Sequence, residues 1–263
     1  MPDFFIKIRF YGNLNDFLPI KKRKKAGRKP VSNHQTVKDV LESEGIPHAE
    51  VNVIRVNGRC VSFSYKPGDG DRIEIFPRNH SFKSPPTLTL LPQLPARPLF
   101  LLDEHLGKLA KLMRMCGIDT QLFHGTTDRE LADMASRMNR IVLTRDVELL
   151  KRKNLKRGYW VRDQDPEKQL IEVFRRFDLF DKIKPFFRCM LCNGLIKKAG
   201  RKTVTARLPS RTRAIFNEYY QCNSCGKIYW KGSHYQRMEL KIGKLVRTGK
   251  ALKKTSGDFE ATG

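Results

Sequence analysis

Two Cys-x-x-Cys pairs near the end of the chain constrain its fold more than any other feature of the sequence. Cys189 and Cys192 enclose "ML", and Cys222 and Cys225 enclose "NS". Two such pairs are typical of a small unit in which four thiolates hold one tetrahedral Zn2+. Four protein ligands leave no position for water, so we expect a structural zinc rather than a catalytic one. Two redox-active dithiols are the alternative interpretation.

The cysteine content and the apolar pattern also indicate a compartment. The chain of 263 residues has six cysteines, four of them in the two pairs, which suits a reducing compartment and a bound metal better than a set of disulfides. No apolar run is long enough to span a membrane, and the N-terminal "MPDFFIKIRF" lacks the features of a signal peptide. We therefore expect a soluble, cytoplasmic protein without a membrane partner.

Positive charge dominates the composition. Lys and Arg number 52 against 27 Asp and Glu, which gives a formal net charge of +25. Such an excess attracts polyanions, so RNA, DNA or a ribonucleoprotein is the expected partner. A cationic surface that only keeps the protein in solution is the alternative. The run "KKRKKAGRKP" over residues 21–30 is either a solvated loop or a segment that binds phosphates.

The beginning of the chain has the pattern of a small α+β domain. Ile6, Ile8 and Phe10 fall on one face of a predicted strand. Thr36 is predicted to cap a helix that ends near Gly45. "VNVIRVNGRCVSFSY" predicts two strands about an Asn-Gly turn, and "DRIEIFP" predicts a closing strand. We expect one helix packed on a mixed sheet.

Residues 1–78 resemble the ubiquitin-like β-grasp family, in the version that precedes certain PIN-like ribonuclease domains. The resemblance implies the β-grasp fold and a surface that could recruit a protein partner. Sulfur-carrier members of that superfamily end in a Gly-Gly tail, whereas here the last strand runs into "FPRNHSF", so carrier chemistry is not expected. The prolines of "SFKSPPTLTLLPQLPARP" then predict an extended linker over residues 79–97.

From residue 98 to residue 184 short apolar strands alternate with amphipathic helices. "LFLLD", "IDTQLF", "RIVLTRD" and "GYWVR" predict strands, and "HLGKLAKLMRMCG", "DRELADMASRM" and "DPEKQLIEVFRRF" predict helices. Thr127 with Glu130 forms a capping-box pattern at one helix start, and Pro166 suits the first turn of another. Repeated β-α-β units predict a parallel sheet flanked by helices, hence an α/β fold.

Three aspartates lie near the ends of these strands. Asp103 directly follows "LFLL", Asp146 closely follows "IVL", and Asp128 lies in the first turn of the intervening helix. Ligands of open parallel sheets bind outside the carboxyl ends of the strands, so the three carboxylates would converge if the two strands are neighbours. Carboxylate oxygens suit Mg2+ or Mn2+, which activates water against a phosphodiester. Helix capping is the alternative role of each aspartate.

The segments "LLDEHLGKLAKLMRMCGID", "TTDRELADMA" and "RIVLTRD" together resemble the PIN-type ribonuclease domain from the C-terminal region of the Mut-seven exonuclease. The resemblance extends through the cysteine pairs to about residue 235. It implies a metal-dependent ribonuclease fold whose acidic positions fall on Asp103, Asp128 and Asp146, the catalytic ligands of Mg2+ or Mn2+. Glu104 and Glu130 are weaker candidates. Asp163 and Asp165, after the next strand, could complete the cluster or could equally cap the following helix.

The cysteine pairs define a further unit, residues 185–235, which is expected to fold as a four-cysteine zinc ribbon. Between the pairs, "KKAGRKTVTARLPSRTR" is heavily basic, and Tyr and Trp residues surround the second pair. Aromatic side chains interleaved with cations suit RNA bases and backbone, although some of these rings must pack the core. Residues 236–263 form a basic tail, and from Lys241 to Gly263 we expect disorder or order only on a partner.

Residues and resemblance together predict a metal-dependent ribonuclease that acts on structured RNA or on a ribonucleoprotein, with tRNA and rRNA as candidate partners. Structural Zn2+ and catalytic Mg2+ or Mn2+ are the expected cofactors. Two alternatives remain open. One is a non-catalytic RNA- or ribosome-binding protein whose acidic positions are only structural, and the other is an adaptor that recruits a protein through the β-grasp domain.

Overall fold

The computed structural model describes residues 3–82 and 84–258. The chain divides into two compact units: the first comprises residues up to 96 together with 125–160, and the second comprises 97–124 together with the chain from 161 onward. Among the described residues, no helix combines the length and the apolar character needed to cross a lipid bilayer.

The first unit begins with a five-stranded mixed sheet and one helix. Its elements are, in chain order, β1 (Phe4–Phe10), β2 (Gly27–Val31), α1 (Val37–Ser43), β3 (Val51–Val56), β4 (Arg59–Val61) and β5 (Arg72–Pro77). The strands lie in the order β2-β1-β5-β3-β4, with β1 parallel to β5 and the other neighbours antiparallel. This is the arrangement of a β-grasp domain, as predicted.

The local signals read from the sequence are present in this sheet. The alternating apolar residues of β1 are buried. At the start of α1, the side chain of Thr36 accepts a hydrogen bond from the amide of Asp39, whose carboxylate accepts one in return. Asn57 and Gly58, between β3 and β4, take positive φ angles of 50° and 85°. Positive φ at both turn residues matches the twist of the flanking strands, which explains the Asn-Gly sequence.

The polybasic run divides between a loop and a strand. Its last residues belong to β2, while the side chains before them are exposed. The ammonium group of Lys22 lies 3.1 Å from the carboxylate of Glu44, and Nε of Arg23 donates to the carbonyl oxygen of Leu18 at 2.9 Å. Part of the run therefore holds its own loop in place, and the rest faces solvent.

The proline-rich segment after β5 forms no helix or strand in its described residues, 78–82 and 84–96. It nevertheless packs on the β-grasp sheet, where Leu91 is buried. Asn52 holds it twice: its carbonyl oxygen accepts from the amide of Leu90 at 2.7 Å, and its side-chain oxygen accepts from the amide of Leu91 at 3.3 Å. The segment predicted as an extended linker is thus held against β3 at Leu90 and Leu91.

Short strands and helices alternate along the middle of the chain, as predicted. In chain order they are β6 (Phe100–Leu102), α2 (Gly107–Met115), β7 (Thr120–Leu122), α3 (Asp128–Arg137), β8 (Ile141–Thr144), α4 (Val147–Leu150), β9 (Gly158–Trp160) and α5 (Pro166–Arg176). In the second unit β6 pairs in parallel with β7, and in the first unit β8 pairs in parallel with β9. The predicted fold class, α/β with a parallel sheet flanked by helices, is confirmed.

Helices in this region begin at the predicted capping residues. Thr127 and Glu130 form a reciprocal capping box at α3. Asp165 accepts hydrogen bonds from two backbone amides at the start of α5, and Pro166 occupies the first helical turn. Such side chains satisfy amides that the helix itself leaves unpaired. Asp165, a weak candidate for the acidic site, therefore has a structural role.

A buried glutamate joins the β-grasp sheet to β9 within the first unit. Glu50 is fully buried. Its Oε1 accepts a hydrogen bond from the amide of Trp160 at 2.7 Å, and its Oε2 accepts one from Nδ2 of Asn13 at 3.3 Å. Because β9 lies at an edge of its sheet, the carboxylate satisfies an amide that an edge strand would otherwise leave open. The β-grasp domain is therefore packed against this strand.

The second unit ends in a small antiparallel sheet and a long helix. The remaining elements are β10 (Ile196–Ala199), α6 (Arg201–Val204), α7 (Ser210–Ile215), β11 (Tyr219–Cys222), β12 (Ile228–Tyr229) and α8 (Ser233–Asp258). The strands lie in the order β10-β11-β12. Val204, Leu208 and Tyr219 form the core of this sheet. So few buried side chains stabilise a fold weakly, and small units of this kind usually need a metal or a disulfide.

The expectation of disorder for the C-terminal tail is wrong for its described residues, because α8 continues to Asp258. Residues 259–263 lie outside the described part of the chain. Met238, Ile242 and Leu245 are buried, and their spacing gives the helix one apolar face. The many lysines and arginines of this segment obscure that face when composition alone is considered.

Candidate functional site

The four paired cysteines come together in the second unit. Their Sγ atoms all lie within 4.8 Å of one another. The Sγ atoms of Cys189 and Cys225 are 3.7 Å apart, and those of Cys192 and Cys222 are 3.4 Å apart. Four sulfurs bound tetrahedrally at about 2.3 Å from one Zn2+ are about 3.8 Å from each other. The donor atoms and their spacing therefore fit the predicted zinc.

Each cysteine pair lies on the same kind of tight turn. The residue after the second cysteine takes a positive φ, 68° at Asn193 and 69° at Gly226. Its amide donates to the carbonyl oxygen of the first cysteine, at 2.9 Å from Asn193 to Cys189 and at 3.1 Å from Gly226 to Cys222. Asn and Gly reach this left-handed region at the lowest cost. Two equivalent turns thus direct four thiols towards one centre.

Gly194 lies where the two turns approach each other. A Cβ at this position would stand 2.8 Å from Sγ of Cys222 and 2.8 Å from Cβ of Ser224, with Oγ of Ser224 closer still. The amide of Ser224 also points at the cluster and donates to Sγ of Cys222 at 3.4 Å. Only a residue without a side chain leaves room for this arrangement.

Hydrogen bonding and burial act in opposite directions on the thiols. Burial raises the pKa of Cys189, but hydrogen bonds outweigh it and lower this pKa to about 7. One of them comes from the hydroxyl of Tyr229, 3.0 Å from the sulfur. Burial and the neighbouring thiols raise the pKa of Cys192 to about 12. Four thiols so close together do not ionise jointly without a cation, and a divalent metal ion supplies that charge.

A buried arginine holds the first cysteine turn against the α/β part of the second unit. Arg114, in the last turn of α2, is 5% exposed. Its Nη1 donates to the carbonyl oxygens of Met190 and Leu191 at 3.2 and 2.8 Å, and its Nε donates to that of Thr120 at 2.8 Å. The side chain of Asn193 accepts from the amide of Thr120 at 3.1 Å. The guanidinium also places positive charge near the thiols, which suits a zinc–tetrathiolate centre.

The predicted catalytic aspartates all lie at helix starts. Asp103 follows β6 and Asp146 follows β8, and each accepts a hydrogen bond on Oδ1 from the amide two residues later, at 3.0 and 2.8 Å. Asp128 is the first residue of α3, and its carboxylate lies 3.9 Å from the guanidinium of Arg152. Asp103 belongs to the second unit and the other two to the first. The convergence of the three carboxylates stays a prediction. The alternative role, helix capping, is present for Asp103 and Asp146.

Residues that follow Asp103 line a cleft of about 540 Å3 in the second unit. His105, Lys108 and Lys111 come from the chain after β6, and His124 comes from the chain after β7. Imidazoles and ammonium groups suit a phosphate group and proton transfer near it. Sequence reasoning missed this cleft. The spacing of Lys108 and Lys111 indicates a shared helix face, but only the pairing of β6 with β7 brings His124 beside them.

Comparison with protein-family models assigns most of the chain. The model of the Mut7-C RNAse domain matches residues 98–242, more than half of the chain. The chain belongs to the Mut7-C RNAse domain family. A second model, the Mut7-C ubiquitin domain, matches residues 4–83 of this family member. The family resemblance and the order of the two domains inferred from the sequence are thus confirmed.

The range matched to the Mut7-C RNAse domain includes every site residue predicted from the sequence. These are the three aspartates and the four cysteines of the cluster: Asp103, Asp128, Asp146, Cys189, Cys192, Cys222 and Cys225. Acidic positions and cysteine cluster therefore belong to one family domain.

Solved structures similar to this Mut7-C RNAse family member include two crystal structures of small archaeal modifier protein 1 from Haloferax volcanii. Both are 14% identical to the chain, cover 28% and 30% of it and 97% and 99% of the modifier chain, and give TM-scores of 0.22 and 0.23. Similarity this low supports no inference about the chemistry of this protein. Comparison with the curated proteins found no match.

Proposed function

We propose that this Mut7-C RNAse family member is a metal-dependent ribonuclease that hydrolyses RNA phosphodiesters. The observation that carries the proposal is the family match over residues 98–242. Within that range an aspartate stands just after the end of β6 and another just after β8. The carboxyl ends of parallel strands are where ligands of such sheets bind. The net charge of +25 favours a polyanionic substrate.

Asp103, Asp128 and Asp146 would hold Mg2+ or Mn2+, since hard carboxylate oxygens are the donors these ions prefer. When bound, such an ion polarises the phosphodiester and activates a water molecule. The capping hydrogen bonds to Oδ1 of Asp103 and Asp146 fix the rotation of each carboxylate and leave Oδ2 for the ion. Lys108 and Lys111, in the cleft after Asp103, would orient the RNA strand by its phosphates.

The four clustered cysteines would hold structural Zn2+ in the same proposal. The proposed organisation is a β-grasp domain over residues 1–78, a linker over 79–97, a nuclease domain over 98–184, a zinc ribbon over 185–235 and a basic tail over 236–263. Zinc then stabilises a small sheet whose own core has few side chains.

RNA is the proposed partner, in the form of structured RNA such as tRNA or rRNA, or of a ribonucleoprotein. Six thiols without a disulfide suit the reducing cytoplasm. The β-grasp domain would recruit a protein partner through its exposed surface.

Asp146→Asn tests the catalytic part of the proposal. Asn caps a helix about as well as Asp, so folding is preserved, while the charge that binds the metal ion is lost. We expect cleavage of a pool of structured and single-stranded RNA, assayed with Mg2+ and with Mn2+, to fall by roughly two orders of magnitude or more. Asp39→Asn is the matched control, because it removes the same charge from the capping box of α1 and should leave cleavage unchanged.

A non-catalytic RNA- or ribosome-binding role is the second candidate. The observation that favours it is capping: Asp103 and Asp146 each have a structural role that needs no metal ion. A wild-type protein that binds RNA but cuts none with either ion would establish this role and exclude the first. Metal-dependent cleavage that survives Asp146→Asn would place the active site on other residues.

A further inference from the structure

A groove of about 820 Å3 lies in the second unit, between residues 184–188, the strands of the small antiparallel sheet and the start of α8. It is separate from the aspartates discussed above, none of which lines it. We call it the aromatic groove because of the rings on its walls, which include Phe186, Phe187, Tyr220, Trp230 and Tyr235.

The rings of the aromatic groove are open to an incoming planar group. Phe187 is 44% exposed, and Tyr220, Trp230 and Tyr235 are half-buried. The rings of Phe186 and Tyr235 lie with their centroids 4.2 Å apart and their planes 32° apart, so they form one continuous aromatic wall. A patch of exposed apolar rings concentrated at one place is typical of a binding site, whereas apolar residues scattered singly over a surface are not.

The backbone that carries this wall is held in an unusual conformation. Phe186 has a φ of 57°, a region that bulky residues rarely occupy and that clusters at functional sites. The segment is anchored to the end of α2, where the amide of Lys184 donates to the carbonyl oxygen of Cys116 at 2.9 Å and that of Phe186 donates to Met115 at 3.1 Å. The surrounding structure thus fixes the ring of Phe186 towards Tyr235 despite the backbone cost.

Charge around the aromatic groove is strongly positive. Arg188 and Lys198 also line it, but they form ion pairs with Asp119 and Glu218 at 2.8 and 2.9 Å. Three further lysines on its wall are exposed: Lys184, Lys227 and Lys231. Among its described lining residues, Glu239 is the one carboxylate.

We infer that the aromatic groove binds single-stranded RNA, with unpaired bases stacking on its rings and phosphates contacting Lys184, Lys227 and Lys231. Stacking on protein rings requires a base that has left its own helix, so the groove would select unpaired over duplex RNA. A purely phosphate-binding surface would need the lysines but not the rings. This inference rests on the proposed RNA function and names the part of the RNA that this chain holds.

Binding without cleavage tests the inference. An Asp146→Asn background without added Mg2+ or Mn2+ prevents hydrolysis, and fluorescence anisotropy measures the affinity for a labelled 12-nucleotide RNA and for its duplex. In this background Phe187→Ala should weaken single-strand binding about tenfold and leave duplex binding nearly unchanged, because one stacking ring is lost. Ile215→Ala is the control, since Ile215 is an apolar residue of α7 with 59% exposure that does not line the groove.

The salt dependence tests the lysines separately from the rings. The double variant Lys227→Gln/Lys231→Gln should reduce the slope of log affinity against log salt for the single strand by about 1.4, because two phosphate contacts are lost. Lys197→Gln/Lys202→Gln removes the same charge from exposed residues outside the groove and should change the slope much less. Zinc content and melting temperature of each variant establish that the fold is retained.

Equal losses in the groove variants and their controls would overturn the inference. An acidic peptide that displaces the RNA and whose affinity falls equally on Phe187→Ala would also overturn it, because the groove would then be a protein-binding site. Selective binding of the single strand, together with a wild-type protein that cleaves no RNA with Mg2+ or Mn2+, would support the groove and refute the nuclease proposal. Cleavage that depends on Asp146 with no selective binding would do the reverse.

Discussion

Substitution of Gly194 by Ala is expected to weaken the metal centre without removing any ligand. The new methyl group would stand 2.8 Å from Sγ of Cys222 and 2.8 Å from Cβ of Ser224. Favourable contacts between such atoms lie at about 3.5–4.0 Å. Because these atoms belong to the second cysteine turn, the turn must shift away from the first one to make room.

The expected cost follows from that overlap. Adding one methyl group to a closely packed site costs about 1–3 kcal/mol. Metal binding and folding are coupled in small zinc units, so this cost reduces zinc affinity by roughly 5- to 150-fold. Competition with a chromogenic chelator measures the affinity, and a thermal melt of the metal-loaded protein measures the stability.

Gly200→Ala is the matched control, since a Cβ there would meet only side-chain atoms of Thr203, at 3.7 and 4.0 Å, which are ordinary contacts. It should retain the zinc affinity of the wild type. Ser224→Gly in the Gly194→Ala background removes two of the three close contacts and should recover part of the loss. If Gly194→Ala binds zinc as tightly as the wild type, the close packing of the two turns does not stabilise the centre and the reasoning is refuted.

Two further outcomes are expected. Purified protein should contain about one zinc per chain. Cys192→Ser should lose both the zinc and the melting transition of residues 185–235, whereas a fully folded protein without zinc would contradict the structural role. Replacement of Lys21, Lys24 and Lys25, all exposed, by Gln should reduce the salt slope of single-strand RNA binding by about 2, as three phosphate contacts are lost. An unchanged slope would show that these lysines belong to a solvated loop.

The sequence alone determined the local structure at positions where a short motif strongly favours one backbone conformation. The helix cap at Thr36, the capping box at Thr127, the Asn57-Gly58 turn and the alternation of β1 depend on neighbours within a few residues, and the structure contains all of them. The cysteine pairs were equally informative, because two identical short turns can be recognised without knowledge of the fold between them. Spacing also identified the aspartates as residues at strand ends and helix starts.

Only the tertiary structure decided how these pieces meet. Arg114 and Asn193 join the first cysteine turn to α2 and β7, although 76 to 77 residues separate the arginine from the carbonyl groups it holds. Glu50 similarly satisfies an amide of β9 that is 110 residues away. No local sequence pattern identifies such pairs, because the sequence does not distinguish a charged or amide side chain that will be buried from one that will be exposed.

The C-terminal helix and the aromatic groove show the same division. The apolar residues of α8 have helical spacing, but their burial depends on a surface that other segments supply. The rings of Phe186, Trp230 and Tyr235 are visible in the sequence, yet only the backbone conformation of Phe186 and its anchoring to α2 bring them onto one groove. Local chemistry therefore fixed the elements and the metal ligands, while contacts between residues distant in the chain formed the surfaces on which binding depends.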